Sequence, residues 1–448
     1  MAKKLTYWIL GGLVLGIFVG WGINAGAEPI RAGLLRLGAI APTTDTAAML
    51  AGIAHYLSIL TTIFLHLIKM IIAPLVLSTL VVGISHMGDT AALGRVGVKA
   101  FAWFVSASLM SLTLGLILVN LLRPGSALGL PLPPEHASSG VDRSAFDFVQ
   151  FVGHIFPDSM VSAMAGNDIL QIVVFSLFLG VAITAVGAPA QPLVRALEGL
   201  AKVMLQVTDY VMRFAPVAVF AAVTATVAVR GPSILSTYGY FMGSFYAGLA
   251  ILWALLLGLC FLIAGKRTRL LMRYIRDPIV LAFSTASSEA AFPRTLEALD
   301  RFGVPPRIAS FILPLGYSFN LDGSMMYMTF ASIFVAQAYG IELSLGTEIA
   351  MLLTLMVTSK GIAGVPRASL VVITATLAQF NLPEAGILLI LAIDQFLDMG
   401  RSATNVVGNA VASVVVAQWE GGFDPPEPVD IEPPHAPSHR ATPPPPES

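Results

Sequence analysis

The sequence predicts an all-α membrane protein assembled from long apolar spans and several broken, half-length helices. Three observations carry this expectation. Hydrophobic residues make up 56% of the 448 residues and DEKR only 11%, against about 25% charged residues in ordinary soluble domains. Apolar runs of about 20 residues or more recur through the first part of the chain, long enough to cross a hydrocarbon core of about 30 Å. After Arg276 the apolar runs are cut by short polar stretches at membrane depth. Lipid tolerates such irregular backbone only where it is buried in protein or lines a cavity.

Lys3 and Lys4 precede the first run, residues 7–23. These flanks resemble a signal peptide, but no small-residue cleavage motif leads into a soluble domain, so the run reads as the first transmembrane helix. Further spans are expected near 49–69 (apolar as far as 85), 98–121, 168–188, 196–227 and 237–264. If these six runs each cross once, Lys3, Lys4, Arg95, Lys99, Arg195, Lys202 and the cluster Lys266, Arg267, Arg269, Arg273 and Arg276 share one side. The positive-inside rule makes that side cytoplasmic. The Pro/Gly/Ser-rich connection 122–165 is then external. Residues 423–448, proline-rich and weakly hydrophobic, read as a disordered cytoplasmic tail.

The same composition excludes several functions. A net charge of −1 offers no footprint for nucleic acid. The single cysteine, Cys260, lies in an apolar run and excludes an intramolecular disulfide. The chain has no CxxC or HExxH, and its seven histidines are scattered, which argues against a metal site.

Beyond Arg276 three breaks stand out. The first is Ser284-Thr285-Ala286-Ser287-Ser288-Glu289, with Pro293 expected to open the next helical stretch. The second is Asn320-Leu321-Asp322-Gly323, with the helix resuming from Met325; the third is residues 358–366. Flanking halves of about 8–15 residues reach about 12–22 Å, too short to span. Broken helices around a midplane site are a device of secondary transporters. Asn320, Asp322 and the freed carbonyls have the makings of a cation site, although Asn and Asp also cap kinked helices. The breaks at 284–289 and 358–366 read as hairpin tips, and the helix N-termini after them suit a carboxylate. Glu289 is either a protonatable group in a buried tip or a helix cap.

Residues 388–418 are apolar enough to span, yet carry Asp394, Asp398, Arg401, Ser402, Asn405 and Asn409. At 100° per residue these fall within an arc of about 100°. On insertion scales a charge at mid-membrane costs about 2.5–3.5 kcal/mol, so such a stripe faces an interior or a cavity and marks a substrate or ion pathway. An Asp398–Arg401 pair at i,i+3 would account for two of the six groups.

These residues carry a resemblance. SSE-x-x-x-P (287–293), LPLGYSFNLDGS (313–324), SKGIAGVP (359–366) and DMGRSATNVVGN (398–409) together resemble the dicarboxylate/amino acid:cation symporter family, the glutamate-transporter fold, over residues 5–420. The resemblance implies eight transmembrane helices plus two re-entrant hairpins with inverted repeats, in a homotrimer in the cell (inner) membrane. It implies a scaffold at about 5–90 and 165–230 and a transport domain at about 95–122 and 235–420 that carries substrate like an elevator. It also assigns roles: Asp398 to the substrate α-amino group, Arg401 to the side-chain carboxylate, Ser402 and Asn405 to the α-amino and α-carboxylate groups. Ala286, Ser287, Ser288 and Ser318 match contacts on the inner side, Gly364 and Val365 those of the outer hairpin, whose tip Gly361 and Gly364 would let bend. Because a succinate-type substrate has no ammonium for Asp398, aspartate or glutamate is the expected substrate.

Cation or proton coupling is expected to involve Ser108, Glu289, Gly316, Asn320, Asp322, Asp394, Asn405 and Asn409, with sodium at Gly316, Asn320 and Asn405 as the alternative. Sodium-driven relatives place an Asp at Asn409 and a Tyr and a Thr at Phe104 and Ala107, while Ser108 survives. A hard cation short of oxygen ligands binds poorly, whereas a proton needs one carboxylate, of which Glu289, Asp322 and Asp394 are candidates. Proton coupling is therefore favoured over sodium, with a C4-dicarboxylate symporter as a further alternative. Met328, where animal relatives carry a Glu, argues against potassium counter-transport. An enzyme would need a nucleophile–base pair or metal ligands in the breaks, which contain neither His nor Cys, so no cofactor is expected.

Overall fold

The computed structural model describes residues 2–85, 90–126, 153, 155–231, 238–359, 368–391 and 393–425. Among the described residues regular structure is entirely helical. In chain order the helices are α1 (Ala2–Ala25), α2 (Ala27–Arg36), α3 (Thr46–Ser85), α4 (Thr90–Leu122), α5 (Met160–Gly166) and α6 (Ile169–Val186). There follow α7 (Gln191–Met212), α8 (Ala215–Arg230), α9 (Gly239–Ala264), α10 (Arg267–Tyr274), α11 (Arg276–Thr285) and α12 (Ser288–Phe302). The last six are α13 (Pro306–Phe319), α14 (Asp322–Ala338), α15 (Leu345–Thr358), α16 (Ala368–Gln379), α17 (Ile387–Leu391) and α18 (Asp394–Trp419).

Among the described residues five helices are long and apolar enough to cross a membrane: α1, α3, α4, α6 and α9. A sixth candidate is the pair α7–α8, bent by 49°. The chain is a multi-pass membrane protein. This pair covers the span expected at 196–227, and the structure divides it at Arg213–Phe214. Pro216 lacks the N–H that would bond the Met212 carbonyl, and its ring crowds that turn, so the axis breaks there.

The first-half helices pack closely. α1 lies along α8, and α3 touches α6, α7 and α8. Glycines set the closest approach: a Cβ on Gly16 would stand 2.9 Å from the Phe220 carbonyl, and one on Gly20 would stand 2.8 Å from the Thr224 carbonyl. Such small-residue seams substitute for the hydrophobic drive that is missing between helices in lipid.

The second half is organised around α18, which α11, α12, α13, α14, α9 and α4 all contact. From Met399 to Ala417 every residue of α18 is buried. The half-length helices α11 to α16 hold 10, 15, 14, 17, 14 and 12 residues. At 1.5 Å per residue they reach about 15–26 Å, short of the bilayer core.

Local chemistry explains the breaks. At the first, Ala286 takes the left-handed conformation (φ 49°) and ends α11, and the Ser287 N–H returns to the Ala282 carbonyl. The Ser287 hydroxyl then caps α12 by accepting from the Ala290 N–H at 3.2 Å. α12 therefore starts at Ser288 and carries Pro293 inside it, whereas the sequence had Pro293 opening the stretch. At the second, Asn320 and Leu321 leave helical geometry and α14 starts at Asp322, three residues before the predicted Met325. The run 388–418 is also divided: α18 begins at Asp394, which places an acidic side chain beside the free N–H groups of a first turn. The third break lies outside the described residues from 360 to 367, and Gly361, Gly364 and Val365 with it.

The tail begins later than predicted. The Phe423 ring meets Phe302 and lies 4.3 Å beneath the Arg267 guanidinium, and the Asp424 N–H donates to the Gly303 carbonyl at 2.9 Å. Residues 426–448 lie outside the described residues. Cys260 is fully buried and accepts from the Thr268 hydroxyl at 3.4 Å.

Overpacking a close seam costs about 1–3 kcal/mol. Gly20→Val should lower the melting temperature in detergent by several degrees, read by scanning fluorimetry. Gly22→Val, whose side chain would point into open space, is the control, and equal melting of both variants would refute the seam.

Candidate functional site

The polar stripe of α18 meets the two broken helices, and three linked clusters result. The first is ionic. Arg401 Nε donates to Asp398 Oδ1 at 2.8 Å, and the Ser402 hydroxyl donates to the same oxygen at 3.1 Å. Arg401 Nη1 lies 3.9 Å from Asp394 Oδ1, and that oxygen accepts from the Tyr327 hydroxyl at 2.8 Å. The guanidinium also stands 4.7 Å from the Tyr327 ring centroid, a cation–π arrangement. Two carboxylates and one guanidinium leave one negative charge over.

The members of this cluster are not equally buried. Side-chain exposure is 6% for Arg401 and 5% for Asp394, but 25% for Asp398. Asp398 is thus the most accessible member of the ionic cluster. Arg401 Nη1 has no hydrogen-bond partner among the described residues. A guanidinium with a free N–H edge suits the fork of a carboxylate.

The second cluster joins the stripe to the first turn of α14. Asn405 Oδ1 accepts from the backbone N–H groups of Gly323 (2.9 Å) and Ser324 (3.3 Å), and Asn405 Nδ2 donates to the Ser324 hydroxyl at 3.2 Å. Asn405 therefore caps α14 from a different helix. The approach requires glycine twice: a Cβ on Gly323 would strike the Arg401 carbonyl, and one on Gly408 would strike the Asp322 carboxylate.

The third cluster lies one turn further along. Asn320 Nδ2 donates to Asp322 Oδ2 at 3.1 Å and to Asn409 Oδ1 at 3.2 Å, and the Ser111 hydroxyl of α4 donates to Asp322 Oδ1 at 3.3 Å. Gly316 sits against the Asn409 amide, and the Ser108 hydroxyl donates to the Phe319 carbonyl at 3.5 Å. Asn320 Oδ1 is buried with no hydrogen-bond donor among the described residues. Phe104 and Ala107 are buried on α4 and add no oxygen. Among the described residues, no three His, Cys, Asp or Glu side chains are placed to hold a metal ion.

The first break, between α11 and α12, is pinned to the same body. The Tyr317 hydroxyl of α13 donates to the Ser288 carbonyl at 2.9 Å, and both arms, α11 and α12, contact α18. Ala286 and Ser287 separate the two helices, and Ser288 and Glu289 open α12. Ser287 is the residue that caps α12, so Glu289 is not the cap. The charges bearing on Glu289 are Lys69 of α3 and Asp398 of α18. Ser318 is buried and its hydroxyl has no hydrogen-bond partner among the described residues.

Sequence reading missed Tyr327 and Ser111. Tyr327 had a signal: a tyrosine hydroxyl at membrane depth must find an acceptor. Trp253 of α9, which donates to the Thr404 hydroxyl at 2.8 Å, and Tyr246, which donates to the Phe396 carbonyl at 2.6 Å, fix the back of α18 and left no trace in the pattern.

Comparison with known proteins adds an independent observation. A family model described as the sodium:dicarboxylate symporter family matches residues 5–419. The chain is 41% identical over 370 residues to the proton/glutamate-aspartate symporter of Escherichia coli (strain K12), covering 81% of this chain and 85% of that one. It is 38% identical over 377 residues to the proton/sodium-glutamate symport protein of Bacillus caldotenax, covering 83% and 90%. It is also 39% identical over 371 residues to the C4-dicarboxylate transport protein of Laribacter hongkongensis (strain HLHK9), covering 81% and 83%.

A hydrogen bond to a charged group contributes about 1.5–3 kcal/mol. Tyr327→Phe keeps the ring under Arg401 and removes only the bond to Asp394. Isothermal titration should show the dissociation constant for aspartate rising by about tenfold or more, with the melting temperature nearly unchanged. An unaltered constant would separate Tyr327 from the site.

Proposed function

The chain belongs to the sodium:dicarboxylate symporter family, and from that premise we propose that it imports glutamate and aspartate together with protons. It is a secondary transporter and not an enzyme. The observation that carries the substrate reading is the Asp398–Arg401 pair at 2.8 Å, with Asp398 its exposed member. An acidic amino acid offers an ammonium to Asp398 and a distal carboxylate to Arg401, so both charges change partners without either being left bare. A plain dicarboxylate would free Asp398 and give it nothing, and an uncompensated buried charge is strongly unfavourable. The E. coli relative's name couples a proton to glutamate and aspartate.

The surrounding residues take roles in this reading. Ser402 and Asn405 hold the α-amino and α-carboxylate groups, and Ala286, Ser287, Ser288 and Ser318 close the inner side. Gly364 and Val365 do so from the outer hairpin. The scaffold comprises about 5–90 and 165–230, and the transport domain, about 95–122 and 235–420, moves as a body with both hairpins. Eight spans, a homotrimer, the inner membrane and cytoplasmic termini complete the proposal. The basic residues gathered on one side favour that orientation.

Proton coupling is supported by the oxygens that are missing. Asn409, Phe104 and Ala107 supply no carboxylate, phenol or hydroxyl to the cluster behind the substrate residues. Glu289, on which the charges of Lys69 and Asp398 bear, is the leading carrier of the proton in this reading, with Asp322 and Asp394 as the other carboxylates. One observation favours sodium as a second reading: the buried Asn320 amide oxygen lacks a donor, and with Gly316 and Asn405 it offers oxygens to a hard cation. The B. caldotenax relative is named for both ions.

Two experiments test these assignments. Arg401→Cys should abolish uptake of labelled aspartate into proteoliposomes, since losing one partner of a buried pair costs about 3–5 kcal/mol; in the intact protein, succinate in excess should compete poorly with labelled aspartate. Equal competition by succinate would turn the assignment toward a C4-dicarboxylate. Imposing pH and sodium gradients separately tests the coupling ion. An inward proton gradient in sodium-free buffer should drive uptake, and Glu289→Gln should remove that response while binding stays measurable. Strict dependence on external sodium at constant pH would reverse the choice.

A further inference from the structure

The seam between the first-half helices and the α18 body differs from the glycine-closed seam between α1 and α8. It holds a partly open cavity of about 550 Å³ lined from one side by α3 and α7 (Val82, Lys202, Leu205) and from the other by α12 and α13 (Leu296, Glu297, Arg307). An ion pair crosses it. Arg294 of α12 places Nη2 2.5 Å from Asp209 Oδ1 of α7, and Nη1 2.8 Å from Glu297 Oε2 on its own helix. One guanidinium thus holds two carboxylates, one on each side of the seam.

We propose that Arg294 and Asp209 form a reversible lock that sets how fast the transport body leaves this arrangement, with Glu297 as the partner that keeps the Arg294 charge paired once the lock opens. The inference rests on the moving-body reading above. Sliding of α12 along α7 must break the Asp209 contact, because the two residues lie on different sides. It need not break the Glu297 contact, because Arg294 and Glu297 are one turn apart on a single helix. The departing Arg294 therefore never stands unpaired at a partly buried seam. Asp209, with 46% of its side chain exposed, returns to water, and the cavity beside Glu297 gives room for hydration. A wholly buried pair would hold the two bodies too firmly, since breaking one is strongly unfavourable. This pair, with exposures of 22% and 46%, belongs to the weak class in which a contact shifts an equilibrium by about two- to fivefold. That is a suitable size for a contact that must break in every cycle.

The two carboxylates make opposite predictions. Asp209→Asn removes the crossing contact and should reduce the population of this arrangement by about two- to fivefold. Glu297→Gln removes the competitor, leaves Arg294 with Asp209 alone, and should increase that population by a similar factor. Asp209→Glu, which keeps the charge, should restore most of the wild-type ratio. The measurement is a pulsed electron–electron distance distribution on the full chain in nanodiscs, with spin labels at exposed Leu193 and Leu262 and buried Cys260 replaced by serine. Initial rates of aspartate uptake are followed in parallel. Two distance populations whose ratio moves in opposite directions for Asp209→Asn and Glu297→Gln would support the lock. Two populations with an unchanged ratio, or shifts of the same sign, would overturn it and leave the moving-body reading intact. One invariant distance in the wild type, with and without aspartate, would overturn both.

Discussion

Arg401 is the constraint on which the second half of the molecule depends. A guanidinium cannot shed its charge in a protein, and this one is 5% exposed inside an apolar helix. It must be surrounded by acceptors. Asp398 one turn earlier supplies the first, Asp394 a further turn back approaches the other edge, and the Tyr327 ring lies against it. The third of these contacts comes from α14, so the charge on α18 recruits a neighbouring helix into its own first turn. Gly323 and Gly408 let α14 come close enough.

From that docking the break before α14 follows. A continuous helix through 320–321 would put its N–H groups into intrahelical bonds. Broken there, α14 directs the Gly323 and Ser324 N–H groups at Asn405, and Asn320 turns its amide toward Asp322 and Asn409. The ionic cluster and the amide cluster therefore share α14 as a common wall. Under the proposed function, this is how a change in substrate occupancy at Arg401 would be felt where the coupling ion acts: Gly323 touches Arg401 through backbone, and Asp322, its chain neighbour, belongs to the amide cluster.

The molecule also uses two kinds of helix contact for two purposes. Where α1 meets α8, backbones approach through glycine, and no sliding is possible without clashes. Where α3 and α7 face α12 and α13, the packing leaves a cavity and a half-exposed ion pair. Interfaces of the second kind have more than one acceptable arrangement, whereas close-packed ones do not.

Much of this was legible in the chain itself. The spans were set by length and apolarity, which need no partner to be read. The stripe of Asp394, Asp398, Arg401, Ser402, Asn405 and Asn409 was visible because helical periodicity alone puts those side chains on one face, and the breaks at 284–289 and 320–323 were visible because Ser, Thr, Asn and Gly interrupt lipid-compatible runs. The start of α12 was misjudged for a local reason, because the Ser287 cap prevails over Pro293, and the 49° bend between α7 and α8 was not foreseen. Other features were decided only by tertiary contacts. Tyr327, Ser111, Trp253 and the Arg294–Asp209 pair lie on helices that periodicity treats separately. Sequence spacing reports which residues share a face of one helix; which faces of different helices meet is fixed by close packing and by the need of each buried charge for a partner.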